Sequence, residues 1–360
     1  MRASLQPVAV VLALWLGCTR DPPRDTGASA AASSPAAATK ETHVYDVTSA
    51  NDLLTVQSAY LARAAAGFDG TFEVRFAATI PPTGWRLAPE AGKDVPAIDL
   101  VLRGDGAVIP APERLVARSV RLEGLVVTGP VGLSSVVEVR TGFTMVDSAI
   151  IDGRSNVPAS QAPYLAIRAH GVRGKKAPAT LTIERSWFVR NWQTDQSVHG
   201  ATLVGLEQDA RDGGFFGEVR LRDCVFVGNA FATELRLAYA LDVAIERSLF
   251  YKTWPSGVQI AADLTDKVRV IDSTLIAEDL GHVAQVGADA SPIAVTGSRI
   301  YARSYTAATP VPAALAIDRG AIADRSAIDA RTAPLDAAAK MGVALPPASL
   351  RDELVRAVRP

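Results

Sequence analysis

Three features of the sequence predict an all-β fold: a right-handed parallel β-helix solenoid of about nine coils, with an N-terminal amphipathic capping helix and a short C-terminal helix. One eight-residue pattern recurs along the chain. Within each copy apolar residues alternate with a period of two. No helical segment separates one copy from the next.

The pattern is apolar–x–apolar–x–x–small–x–apolar. It reads LVLRGDGA (100–107), VRLEGLVV (120–127), FTMVDSAI (143–150), LTIERSWF (181–188), VRLRDCVF (219–226), VAIERSLF (243–250), VRVIDSTL (268–275) and IAVTGSRI (293–300). Its sixth position holds Asp105, Leu125, Ser148, Ser186, Cys224, Ser248, Ser273 and Ser298. Most steps are 20 to 25 residues; two are 38, one period plus an insertion, near 153–178 and 193–216. Later in the repeat comes a second alternating run, as in VVEVR (136–140), LAIR (165–168), TLVGLE (202–207), ELRLA (234–238) and GVQIA (257–261). Such alternation marks a strand with one buried face. A sandwich or barrel would show hairpin turns without a fixed period, and the Leu and Asn spacing of a leucine-rich repeat is absent.

In a stack of repeats, like residues lie on like. The sixth position is then an inward column, where only a small side chain fits beside its copies, and Cys224 is a buried thiol. Asn191 and Asn229, five residues after that column, are expected to hydrogen-bond along the stack. Trp187, Trp192 and Trp254, with Phe188, Phe250 and Tyr251, are expected to fill the core or shield its corners.

The rest of the chain is ordered around this body. Residues 1–18, MRASLQPVAVVLALWLGC, hold an apolar run too short to span a bilayer but suited to a signal peptide. Leu14, Gly17 and Cys18 resemble the lipobox of bacterial lipoproteins, although Trp15 and Leu16 depart from its usual pattern. The resemblance implies lipidation of Cys18 and a membrane lipid anchor. Thr19 in place of Asp leans towards the outer membrane of the cell envelope. Residues 19–43 are rich in Ala, Ser and Pro and read as a flexible linker. The β-helix is expected over 44–331. It opens with a helix at 49–67, whose Ser49 and Asp52 form a capping box, and a first coil at 71–77. Residues 332–360 read as a tail with a short helix at 349–358, and a solenoid needs both ends covered.

Function is less legible. A net charge of -1, from 37 basic and 38 acidic residues, excludes a general nucleic-acid binder. Two cysteines exclude a disulfide framework. From about 44 to 330 the helix, coil pattern and stacked column resemble the pectin-lyase-like superfamily. That resemblance implies the right-handed β-helix but no single activity, since the superfamily spans lyases, hydrolases, epimerases, esterases and adhesins. The polygalacturonase and alginate-epimerase motifs are absent, and no complete catalytic motif is found. The second alternating run offers Glu138, Arg140, Arg168, Glu207, Glu234, Arg236 and Gln259 as an outward mixed-charge ladder able to bind a sugar acid or another partner. In the insertions, Arg154, His170, Arg173, Lys175 and Lys176 face Asp195, His199, Glu207, Asp209, Arg211 and Asp212 across a possible groove. Asp195, His199 and Asp209 are the only weak metal candidates. The reading is an exported, membrane-tethered protein that binds a polysaccharide or envelope partner along one face. The alternative is a polysaccharide lyase or glycoside hydrolase with a diverged site between the two insertions. No cofactor is expected; Ca²⁺ would enter only with lyase activity.

Overall fold

The computed structural model describes residues 40–327, except 91–92, 130–134, 156–162, 171–177, 194–201, 209–212, 253–256 and 288–289. The signal segment, Cys18, nearly all of the linker, the insertion residues Arg173, Lys175, Lys176, Asp195, His199, Asp209, Arg211 and Asp212, Trp254 and the C-terminal segment 349–358 lie outside these residues. What is described is all-β, with one α-helix, α1 (Ala50–Ala65). Twenty-two strands join one sheet, two short ones form a second, and every described pairing between strands is parallel.

Three ladders make up the main sheet. The first pairs Thr42–Val47 with Gly70–Phe76, then Gly70–Phe76 with the opening residues of Ile98–Pro110. The chain therefore enters the sheet before α1, two residues earlier than the expected start at 44, and α1 connects two adjacent strands. The ladder continues from Leu100 to Val120, Phe143, Leu181, Val219, Val243 and Val268, the first positions of seven successive pattern copies. The eighth copy follows, with Arg269 opposite Ala294. The second ladder runs through Ala149–Ile151, Trp187–Val189, Val225–Val227, Leu249–Tyr251, Thr274–Ala277 and Arg299–Ala302. The third runs through Ser135–Val139, Leu165–Ala169, Thr202–Gln208, Thr233–Ala238 and Val258–Ala262. Each level thus contributes a strand to the third, first and second ladders in turn.

The small-residue column sits at the bend between the first and second ladders. Ser148, Ser186, Cys224, Ser248, Ser273 and Ser298 are all buried. Asp105 does not belong to it: the register slips between Arg103 and Ala107, and Ala107 faces Leu125. The column also carries hydrogen bonds between levels. The amides of Cys224, Ser248 and Ser273 donate to the hydroxyls of Ser248, Ser273 and Ser298 at 3.1, 3.0 and 2.9 Å. Those hydroxyls in turn donate to the carbonyls of Glu246, Ile271 and Thr296 two residues back.

The residue before each column position is left-handed, with φ between +42° at Arg247 and +65° at Gly124. For a residue with a Cβ this costs about 1–2 kcal/mol. The side chains at this position alternate along the stack as Asp147, Arg185, Asp223, Arg247 and Asp272, and they pair across levels. Arg185 makes a two-pronged contact with Asp147 at 2.6 and 2.8 Å, and Arg247 with Asp223 at 2.9 and 2.8 Å. Surface pairs contribute about 0–1 kcal/mol, less than the strain. The buried column and its hydrogen bonds therefore fix the bend, and the ion pairs only offset part of its cost.

Inside, Phe188, Phe226 and Phe250 stack with centroids 4.5 Å apart and planes within 6° of parallel. That separation matches the strand spacing, so the rings repeat with the levels. Trp187 is buried as expected, but with Ala149, Ile151, Val189, Val225 and Val227 it forms a separate apolar cluster from the alternate positions of the second ladder. Asn191 and Asn229 are buried and linked, Asn191 Nδ2 donating to Asn229 Oδ1 at 3.0 Å. Cys224 is buried, and burial pushes its thiol up to about 12.

Ser273→Ala should destabilise the protein by about 1–3 kcal/mol, because the buried Ser248 amide loses its acceptor. Ser273→Cys should lose less than half as much, since Cys224 already holds an equivalent place. Urea midpoints of the two variants check both values.

Candidate ligand-binding cleft

The third ladder carries the charged residues that alternation picks out, but it does not treat them alike. Glu138, Arg168 and Glu207 lie in register on successive strands. Glu138 is buried, and both of its oxygens are occupied. Oε1 accepts from Arg114 Nε at 2.8 Å and Oε2 from His170 Nε2 at 2.8 Å. Burial raises the Glu138 carboxyl, but the His170 and Arg114 contacts outweigh it and hold the group below the usual carboxylate range. This cluster ties the strand Leu165–Ala169 and its exit at His170 to the two preceding levels.

Arg168 and Glu207 are different. Their ion pair, at 2.7 Å, leaves the side chains 38% and 31% exposed. Arg236, on the next level, pairs with Asp263 at 3.3 Å and is similarly open. Arg140 reaches only the fully exposed Asp94, at 3.9 Å. Glu234 and Gln259, which alternation places outward, are wholly buried. The strand Thr233–Ala238 buries residues of both parities, so the period-two reading fails there. Burial pushes the Glu234 carboxyl up to about 7, against the opposing attraction of Lys252 and a hydrogen bond from Asn229.

A cleft of about 210 Å³ opens on this face, lined by Pro163, Gly205, Leu206, Glu207, Gln208, Arg236, Ala238 and Tyr239. Gly205 forms part of its floor, where a Cβ would come within 2.8 Å of the Pro163 ring. Tyr239 is left-handed at φ +57°, as is Leu264 on the next level at +49°. Phe215, Leu241 and Leu264, at the neighbouring corner, are exposed. The cleft therefore combines a carboxylate, an amide and a guanidinium with an aromatic ring and an apolar rim.

Energies separate the two groups of charges. Opening an exposed pair such as Arg168–Glu207 costs about 0–1 kcal/mol, so a ligand can replace one partner. Breaking the buried Glu138 cluster costs about 3–5 kcal/mol, so it is a support. A larger depression of about 790 Å³ lies beside α1, lined by Leu61, Ala64, Ala65, Lys93 and Asp94 among others. Its charged residues are solvent-facing and make no cluster.

Sequence reading thus locates Glu207 and Arg236 in the cleft and Arg168 beside it. It misses Gln208, Tyr239, Asp263 and the Arg114–Glu138–His170 cluster. Tyr239 falls between two repeat motifs, where no periodicity points to it. Arg154, counted with the basic insertion, instead stacks on Trp192 at 4.6 Å. Among the described residues no group of three or more His, Cys, Asp or Glu side chains could hold a metal ion. No protein-family model matches the chain, and no curated protein matches it.

A depressed carboxyl contributes stability that is present above its unfolded value, about 4.3, and is lost as pH falls through its folded value. Urea midpoints measured from pH 7 to pH 3 should therefore fall more steeply for the wild type than for Glu138→Gln. At pH 7 the variant should be less stable by about 3–5 kcal/mol. Parallel pH profiles would contradict this account of the cluster.

Proposed function

We propose that this chain is an exported, membrane-tethered, right-handed parallel β-helix that binds a glycan along the outer face of its third ladder. The observation that carries the reading is the cleft in which Glu207, Gln208, Arg236 and Tyr239 from two adjacent levels converge. Sugars present hydroxyls that accept and donate in pairs, and an apolar ring face that lies against aromatic side chains. Carboxylate, amide and guanidinium groups meet the first need, and Tyr239 with its apolar rim meets the second. The open Arg168–Glu207 and Arg236–Asp263 pairs make acidic sugars the preferred class, since a ligand carboxylate can take an arginine from its protein partner at little cost.

The parallel register supports the β-helix reading, because each strand pairs with its counterpart one or two repeat periods along the chain. The lipobox-like N-terminus supports a lipid anchor at Cys18 and display from the outer membrane, with the linker holding the β-body off the surface. Binding is preferred to catalysis because Glu138, the carboxylate best placed beside a histidine, is buried with both oxygens engaged.

The test is a screen of the full-length protein against uronic-acid and neutral polysaccharides, with and without Ca²⁺, reading binding and product release together. We expect binding without product. Arg236→Ala and Glu207→Gln should each weaken it about tenfold, or about 1.4 kcal/mol, and the triple variant with Arg168→Ala should abolish it. Unchanged affinity in the triple variant would remove this face as the site. Release of unsaturated oligosaccharides would make the protein a lyase.

A further inference from the structure

Apart from the cleft, Asn229, Glu234 and Lys252 share the buried corner between the second and third ladders, and all three are wholly buried. A lysine is almost never buried so completely. Lys252 follows the strand Leu249–Tyr251, whose Tyr251 pairs with Val227, so it lies on the level adjacent to Asn229. Its Nζ donates to the Phe231 carbonyl at 2.8 Å, two residues beyond Asn229. Asn229 Nδ2 donates to Glu234 Oε1 at 3.3 Å and to the Phe188 carbonyl at 2.9 Å. Asn229 Oδ1 accepts from both the backbone N and the Nδ2 of Asn191, each at 3.0 Å.

These groups form a reactive set. The Lys252 amine is a nucleophile when neutral, and burial lowers its affinity for a proton, against the attraction of Glu234. The Asn229 carboxamide is the electrophile. Two N–H donors already converge on its oxygen, the arrangement that stabilises an oxyanion. The Glu234 carboxyl sits beside the nitrogen that would leave.

We infer that Lys252 and Asn229 are joined by an intramolecular amide bond, formed without a cofactor and with Glu234 as proton carrier. The neutral amine leaves its Phe231 contact and attacks Asn229 Cγ, forming the new C–N bond. The carbonyl electron pair moves to Oδ1, held by the two Asn191 donors. Glu234 takes a proton from the attacking nitrogen and passes one to Nδ2. The Cγ–Nδ2 bond breaks, Oδ1 returns to a carbonyl, and ammonia departs. An amine and a primary amide become a secondary amide and ammonia, with no oxidant or reductant. The bond would tie two adjacent levels covalently at the corner behind the cleft.

Tryptic peptide mapping of the folded full-length protein by mass spectrometry tests this directly. Cleavage after Lys252 should fail. A branched species should join the peptides Asp223–Arg236 and Ser248–Lys267, lighter than their sum by one ammonia. Lys252→Met should abolish the branch, Asn229→Asp should convert the loss to one water, and Glu234→Gln should slow linkage by about a hundredfold. Recovery of Asn229 and Lys252 in separate, unmodified peptides from the wild-type protein would overturn the proposal, whatever the variants do. Linkage that is undiminished in Glu234→Gln would overturn the role given to Glu234.

Discussion

The bend between the first and second ladders governs the rest of the structure. At each level a left-handed residue must be followed by a side chain small enough to lie beneath its own copy, and that side chain must accept the amide of the level before. Because the strands are parallel and in register, one such bend fixes the next. The same translation that stacks serine on serine also stacks Phe188 on Phe226 on Phe250, and links Asn191 to Asn229. A residue that broke the column would leave a buried donor unpaired and shift every later element by a fraction of a strand spacing. The first level shows how an exception is absorbed: the slip between Arg103 and Ala107 removes Asp105 from the column before it can be buried.

A rigid repeat gives the third ladder its functional character. Side chains on neighbouring strands lie about 5 Å apart, so charges placed at one register position become neighbours without any loop to position them. Whether such charges serve the fold or a ligand depends on burial. Around Glu138, two donors have displaced water completely, and the carboxylate anchors three levels. One level on, Arg168 and Glu207 remain half open, and the pair is weak enough to be exchanged. The cleft lies where the ladder changes from the first condition to the second.

Much of this was legible in the sequence, and the limits have physical causes. The eight pattern copies fall in register because their spacing reports the path length of one level. The column, the buried Cys224 and the asparagine link follow from the size and turn chemistry of single residues. The Asp–Arg alternation at the left-handed position stands in the sequence as VDS, ERS, RDC, ERS and IDS, next to the column that was read. It escaped notice because φ is not visible in a residue name. Glu234 and Gln259 were misplaced because period-two reasoning assumes one wet face, and the strands Thr233–Glu246 and Val258–Ile271 bury both faces at those positions. His170 was assigned to a basic insertion because its partner Glu138 lies 32 residues away, a pairing that only the fold creates.

The central claim is that the small-residue column holds the levels in register. Native-state hydrogen exchange at the amides of Leu125, Cys224, Ser248 and Ser273, each of which donates to a column hydroxyl, addresses it most directly. The account predicts that these four amides exchange only through global unfolding, at one common free energy. Exchange through local openings, at rates like those of exposed connections, would show that the levels are held by something other than the column.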